Sequence, residues 1–204
     1  MTLRIILAAL AASAAAPLAA QAPAPAPATA APDAKDDLVR VHLETEKGRI
    51  TVALDRGRAP ITTANFLGYI DKQWLDGQPF YRAMPYGNGG LIQGGVRDGA
   101  KQLPPIDVET TATTGLRNTA GAIVMANGGP GTTRSDFFIL TTDVPAFDAT
   151  AAEPGFAPFG HVVEGMDVVQ AILAAPRSPT LGEGVMKGQM LDPVVRIVKA
   201  ARAK

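Results

Sequence analysis

No cysteine occurs anywhere in the 204 residues. A disulfide framework, a thiol nucleophile and a thiolate metal site are therefore excluded. Histidine is almost as scarce, with only His42 and His161. Both fall in strand-like stretches and no G-x-S-x-G elbow is present, which argues against a Ser-His-Asp hydrolase. There is no H-E-x-x-H pair and no His/Asp/Glu cluster at ligand spacing, so neither a metal nor any other cofactor is expected. The glycine-rich stretches Gly87–Gly95 and Gly128–Gly131 lack G-K-[ST], and a phosphate cradle is not expected. Excess charge is missing too: Lys plus Arg and Asp plus Glu number 19 each. That balance leaves no electrostatic footprint for nucleic acid or for an anionic membrane.

What is present begins with an address. Residues 1–20 carry one basic residue, Arg4, then an Ile/Leu/Ala run, then the small pair Ala19-Ala20. This reads as a secretory signal peptide cleaved after Ala20. Pro17 and the alanine content disfavour a spanning helix, so no stable membrane insertion is expected after cleavage. In a Gram-negative host the destination is the periplasm. Residues 21–37, QAPAPAPATAAPDAKDD, form a Pro/Ala linker without apolar periodicity, expected to be an extended spacer. Residues 38–204 are long enough for one domain with a sizeable core.

Within that domain Val39–Glu44 and Ile50–Leu54 alternate apolar and polar residues around Lys47-Gly48, as an antiparallel hairpin does. His42 falls on the outward phase with Arg40 and Glu44. Pro60 opens a helix ending near Asp71–Gln73, with Phe66, Leu67, Ile70 and Trp74 at helical spacing. Gly77–Pro85 and Leu91–Val96 read as strands around the turn Tyr86–Gly90. Residues 97–114 read as loop, Pro158–Glu164 as a strand, and Gly165–Leu173 as a helix with Met166, Val169 and Leu173 on one face. Ala175–Met190 reads as loop and Asp192–Lys199 as a closing strand. Many short strands with two isolated helices point to a closed antiparallel β structure whose open ends the helices cover.

The centre of the domain is Gly121–Leu140, GAIVMANGGPGTTRSDFFIL. Two apolar runs, Ala122–Ala126 and Phe137–Leu140, flank a Gly/Pro break and a polar loop. That is the pattern of two buried strands joined by a loop able to present groups to a ligand. The remaining chemistry-bearing residues are Arg82, set in an apolar strand, and Gln93, eleven positions later. Taken alone, Arg82 reads as an edge-strand residue reaching solvent.

The ordered set of motifs resembles the cyclophilin-type peptidyl-prolyl cis-trans isomerases. The motifs are Phe80-Tyr81-Arg82 with Pro85, Gln93-Gly94-Gly95, Gly115-Leu116-Arg117-Asn118-Thr119, and Met125-Ala126-Asn127 with Gly129-Pro130. They continue through Ser135, Phe137-Phe138-Ile139 and Phe159-Gly160 to Val163–Val169. The Gly-Leu-Arg-Asn-Thr run is similar to the bacterial periplasmic branch. The resemblance implies an eight-stranded antiparallel barrel capped by two helices. It implies Arg82 as the catalytic arginine and Gln93 as the glutamine that positions it. It implies substrate contacts from Phe80, Leu91, Met125, Phe138 and Phe147, from the pairing segment Ala126-Asn127-Gly128, and from Asp136. The partners implied are proline-containing unfolded or partly folded polypeptides, met by a monomer during folding of exported proteins. The alternative is a proline-peptide binding module or chaperone of this fold with weak or no catalysis.

The chain also departs from the family pattern. About three extra residues separate Arg82 from Gln93. Gly90 stands where a pocket aromatic is expected, and Asp136 replaces the glutamine before the phenylalanine pair. The tryptophan position falls at Ala146 or Phe147, and the pocket histidine falls near Phe156 inside an insertion, Ala149–Ala157. Weak binding of the fungal cyclic-peptide inhibitor is expected, and Asp136 is expected to place a carboxylate close to Arg82, either holding the guanidinium or competing with substrate for it.

Overall fold

The computed structural model describes residues 37–129 and 131–203. The expected signal peptide, and the linker up to residue 36, lie outside them. Eight strands follow in order: β1 Leu38–Thr45, β2 Gly48–Asp55, β3 Pro79–Tyr86, β4 Gly89–Gly94, β5 Ala122–Met125, β6 Phe137–Leu140, β7 Ala157–Glu164 and β8 Met190–Arg202. The helices are α1 Pro60–Asp71, α2 Thr111–Thr114 and α3 Met166–Leu173. The strands close into one barrel in the order β1-β2-β7-β5-β6-β4-β3-β8, every neighbour antiparallel. Closure leaves no unpaired sheet edge. The expected eight-stranded barrel is therefore the fold.

Period-two alternation divides the barrel wall into two apolar faces. Ile92, Ile123, Phe137 and Ile139 point inward and join the main core with Leu43, Ile50 and Phe159. Their chain neighbours Leu91, Val124, Phe138 and Leu140 point outward and build a second buried cluster on the outside of the wall. A strand whose two faces are both buried reads as a continuous apolar run, which is how AIVM and FFIL look in the sequence.

Helix α1 plugs one end of the barrel. Its Phe66 meets Phe137 edge-on at 5.2 Å and Phe159 at 5.3 Å. Pro60 starts it, and the Glu109 carboxylate accepts from the N–H groups of Ile61 (3.2 Å) and Thr62 (2.7 Å). A distant carboxylate thus satisfies donors that a local cap usually takes. Helix α3 buries Val169 and Ile172, while Met166 and Leu173 flank the contact. All three residues of the expected face thus meet the core, and Ile172 joins them. The expected loop 97–114 also contains a third helix, the single turn α2. Thr110 caps it through Thr113 N–H, and Gly115 ends it at φ 72°.

The three residues by which the Arg82–Gln93 spacing exceeds the family pattern lengthen the β3–β4 hairpin at its tip. The ladder continues to Tyr86↔Gly89 across the two-residue turn Gly87-Asn88. Within that ladder Gly90 pairs with Pro85, and a Cβ at Gly90 comes 2.2 Å from the Met84 carbonyl oxygen. No side chain fits there, so this backbone excludes the aromatic expected at that position. Gly90→Ala is expected to cost about 1–3 kcal/mol of stability as an overpacked position. Urea unfolding measures it, and an unchanged midpoint contradicts the close approach.

Candidate active site

The site is set by one irregularity in β3. The register steps between Phe80 and Arg82: Phe80 faces Gly94, whereas Arg82 faces Gln93. The extra residue is Tyr81, and a bulge of this kind re-aims the side chains on either side of it. Phe80 and Arg82 are two residues apart yet point to opposite faces of the wall. Phe80 is fully buried inside the barrel, 5.7 Å from Phe137, and offers nothing to a peptide. Arg82 lies half-buried on the outside.

Pairing then carries the outer face across four strands in one rung. Arg82 is opposite Gln93, Gln93 opposite Phe138, and Phe138 opposite Val124. Residues directly opposite one another project to the same side, so the cation, the glutamine and the ring are neighbours. Arg82 Nη1 donates to Gln93 Oε1 at 2.9 Å, and Nη2 contacts Met84 Sδ at 3.3 Å. Nε and Nη2 both donate to Gln189 Oε1, at 2.8 and 2.6 Å. Burial lowers the Arg82 pKa from its ordinary value, with Tyr81 acting in the opposite direction. The guanidinium nevertheless stays charged, as arginine does in proteins.

Beside the cation lies an aromatic cluster. Phe138 meets Phe156 edge-on at 5.3 Å and Phe147 edge-on at 5.9 Å, and Phe147 lies 4.8 Å from Phe156. Leu91, Met84 and Ala126 pack against the same cluster. Edge-to-face pairs of this kind contribute about 0.5–1.5 kcal/mol each beyond their buried area. Phe147 and Phe156 meet because the insertion between them closes on itself: Phe156 N–H donates to Phe147 C=O at 2.9 Å. The residue expected near the family's histidine position, Phe156, thus supplies the second wall ring, a role the sequence analysis did not assign to it.

The Arg117-Asn118 part of the motif holds this wall in place. Asn118 donates to Asp148 Oδ1 through its backbone N–H (3.0 Å) and its side-chain amide (2.8 Å), and Arg117 pairs with Asp148 at 3.2 Å. Burial works to raise the Asp148 pKa, but the Asn118 hydrogen bonds and the Arg117 charge outweigh it and hold the carboxyl below its usual value.

A cleft of about 530 Å³, bordering the rung at Gln93, brings together Gln93, Ala126, Asn127, Gly128 and Asp136 with Tyr81, Arg97, Arg134 and Met190. The pairing segment continues β5 past its last rung, and Gly128 N–H donates to Thr132 Oγ1 at 2.7 Å. Two expectations are corrected here. Met125 shares the inward parity of Ile123 and is fully buried in the main core, so it cannot contact substrate. Asp136 does not pair with Arg82: its ionic partner is Arg97, at 3.5 Å, and Arg97 in turn stacks on Tyr81 at 4.6 Å. Burial raises the Asp136 pKa, with Arg97 and Tyr81 opposing. Tyr81, Met84, Phe156 and Gln189 were missed as site residues. Of these, Tyr81, as part of Phe-Tyr-Arg, and Phe156, near the family's histidine position, carried a signal in the sequence.

Asp148→Ala is expected to cost about 1–3 kcal/mol, since it strands the buried Asn118 amide. A carboxyl held below its unfolded pKa contributes stability above that value and loses it as pH falls through the folded one. The ring resonances of Phe147 and Phe156 are therefore expected to broaden below about pH 4. Rings that stay sharp in acid, or an unchanged unfolding midpoint for the variant, contradict the role of Asp148.

Comparisons with known proteins point to one family. The sequence model of the family described as cyclophilin type peptidyl-prolyl cis-trans isomerase/CLD matches residues 40–201. A peptidyl-prolyl cis-trans isomerase of Acinetobacter baylyi is 34% identical over 144 residues, covering 68% of this chain and 73% of that protein. Peptidyl-prolyl cis-trans isomerase A of Dickeya dadantii is 36% identical over 135 residues, covering 65% of this chain and 70% of that protein. Among solved structures, a cyclophilin type isomerase from Cryptosporidium parvum superposes with a TM-score of 0.66 at 20% identity, covering 82% of this chain and 98% of that one. The same protein in the presence of the dipeptide Ala-Pro gives 0.65 at 19% identity, covering 81% of this chain and 99% of that one. A barrel closed in this order, matched along nearly all of residues 38–204, leaves one assignment: the chain belongs to the cyclophilin-type peptidyl-prolyl cis-trans isomerase family.

Proposed function

We propose that the chain is a periplasmic prolyl isomerase that accelerates X-Pro bond rotation in exported polypeptides as they fold. One observation carries the catalytic part: a charged guanidinium, held by two glutamine oxygens, stands beside an aromatic cluster on the outer wall of the barrel. An X-Pro bond rotates slowly because its C–N bond has partial double-bond character, with a barrier of about 18–20 kcal/mol. The proline ring seats against Phe138, between Phe147, Phe156 and Leu91. The chain preceding it runs along Ala126-Asn127-Gly128. Arg82 then donates to the prolyl nitrogen, localises its lone pair and weakens the resonance. Each 1.36 kcal/mol removed from the barrier is worth about tenfold in rate. A neutral acceptor such as glutamine orients the cation without cancelling its charge, which suits this role better than a carboxylate. The reaction needs no nucleophile, base or metal.

The cellular part of the reading rests on residues 1–20, whose basic, apolar and small-residue segments have the form of an export signal. Expression of the full chain in a Gram-negative host is expected to yield a mature protein starting at Gln21 in the periplasmic fraction. A cytoplasmic protein retaining Met1 contradicts this location.

Arg82→Ala is expected to abolish measurable acceleration of an Ala-Pro test peptide while the fold, read by circular dichroism, stays intact. Retained activity removes Arg82 from its role. Asp136→Gln is expected to leave kcat unchanged, because the carboxylate faces Arg97; a collapse of kcat in that variant shows that the carboxylate reaches Arg82 during the reaction. A wild-type protein that binds prolyl peptides without accelerating their isomerisation selects the binding-module alternative.

A further inference from the structure

The family resemblance accounts for Arg82 and Gln93 but not for the second glutamine on the guanidinium. Gln189 lies in the segment before β8, which sequence analysis read as a plain loop. Its backbone and side chain are both committed. The backbone C=O accepts from Ala83 N–H at 2.9 Å, extending the β8–β3 ladder one step past Arg82↔Met190. The backbone N–H donates to Met186 C=O at 3.0 Å, and the side-chain amide donates to Val185 C=O at 2.7 Å. With its amide tied back, the only polar atom left on the side chain is Oε1, and that atom takes both Nε–H and an Nη2–H of Arg82.

A guanidinium has five N–H donors in a fixed planar fork. Here Nε–H and one Nη2–H go to Gln189, the other Nη2–H to Met84 Sδ, and one Nη1–H to Gln93. Four of the five are used, and the fifth, on Nη1, has no partner among the described residues. Gln93 grips one side of the fork and Gln189 the opposite side. A single-sided contact fixes a distance but leaves the long arginine chain free to swing. Two contacts on opposite sides fix the plane and the direction of the remaining donor.

We infer that Gln189 is a second positioning residue for the reaction, which orients Arg82 so that its one remaining Nη1–H is aimed at the prolyl nitrogen. The inference rests on the reading of Arg82 as the catalytic donor. It also gives the 184–189 turn a purpose. Met186 and Met190 line the cleft beside Arg82, so the same short segment forms a wall of the cleft and holds the cation.

The test is Gln189→Leu, which keeps the side chain's bulk and removes its oxygen, compared with Gln189→Glu, which keeps an acceptor. In the wild type, the Arg82 Nε–H resonance, assigned by its loss in Arg82→Lys, is expected to exchange with water more slowly than those of exposed arginines. In Gln189→Leu that protection is expected to vanish. Its kcat for an Ala-Pro peptide is expected to fall by about tenfold or more, as misplacement of a catalytic group does, with KM unchanged. Gln189→Glu is expected to retain the protected Nε–H. An unprotected Arg82 Nε–H in the folded wild-type protein overturns the inference even if the leucine variant does not fold. So does a leucine variant with unaltered kcat, or one whose loss lies wholly in KM. The exchange measurement is made without substrate, so it stands apart from the isomerase reading. Full activity in Arg82→Ala defeats that reading, whereas loss of activity in Arg82→Ala with none in Gln189→Leu defeats only the inference.

Discussion

A guanidinium can sit half-buried against methionine sulfur only if its N–H groups find acceptors, because stripping water from an unpaired cation is costly. Around Arg82 those acceptors are two glutamine oxygens, and much of the local architecture serves to bring them there. The bulge at Tyr81 turns Arg82 to the outer wall. The lengthened β3–β4 hairpin still delivers Gln93 directly opposite it, because the extra residues are taken up at the tip. The last residue before β8 completes the ladder beside Ala83 and thereby sets Gln189 on the other side. Both partners are neutral, so the charge persists where a carboxylate would have offset it.

The same parity that exposes Arg82 builds the aromatic cluster beside it. β5 and β6 are apolar on both faces and β4 adds Leu91 to the outward set, which would be an open hydrophobic patch if nothing covered it. The insertion between Phe147 and Phe156 covers part of it with two rings, and Asn118 and Arg117 tie that insertion down through Asp148. A motif that looks like a family signature in the sequence is, in physical terms, a clamp on the pocket wall.

Much of this was legible before the structure. Alternation and turn residues revealed all eight strands, and helical spacing revealed α1 and α3. Arg82, Gln93, Leu91, Phe138, Phe147 and the Ala126–Gly128 segment do gather at one place on the barrel. What could not be read follows from register. Phe80 looks like a neighbour of Arg82, but one bulged residue sends it inside; Met125 looks like part of the pairing edge, but its parity matches Ile123. Gln189 contacts Arg82 across 107 positions of sequence, in a segment with no periodicity to mark it. Asp136 stands next to the phenylalanine pair in the chain, yet Arg97 from another loop claims it. Local pattern reports which residues alternate, but a bulge or a long-range partner decides which side each one faces.

The central claim is that the outer-wall rung of Arg82, Gln93 and Phe138 is where a prolyl bond is held and weakened. The most direct measurement is a high-resolution crystal structure of the protein with a short Ala-Pro peptide bound. The account predicts the proline ring against Phe138, flanked by Phe147 and Phe156, with Arg82 Nη1 within hydrogen-bond distance of the prolyl nitrogen. A proline seated elsewhere, or a guanidinium turned away from the prolyl nitrogen, would contradict it.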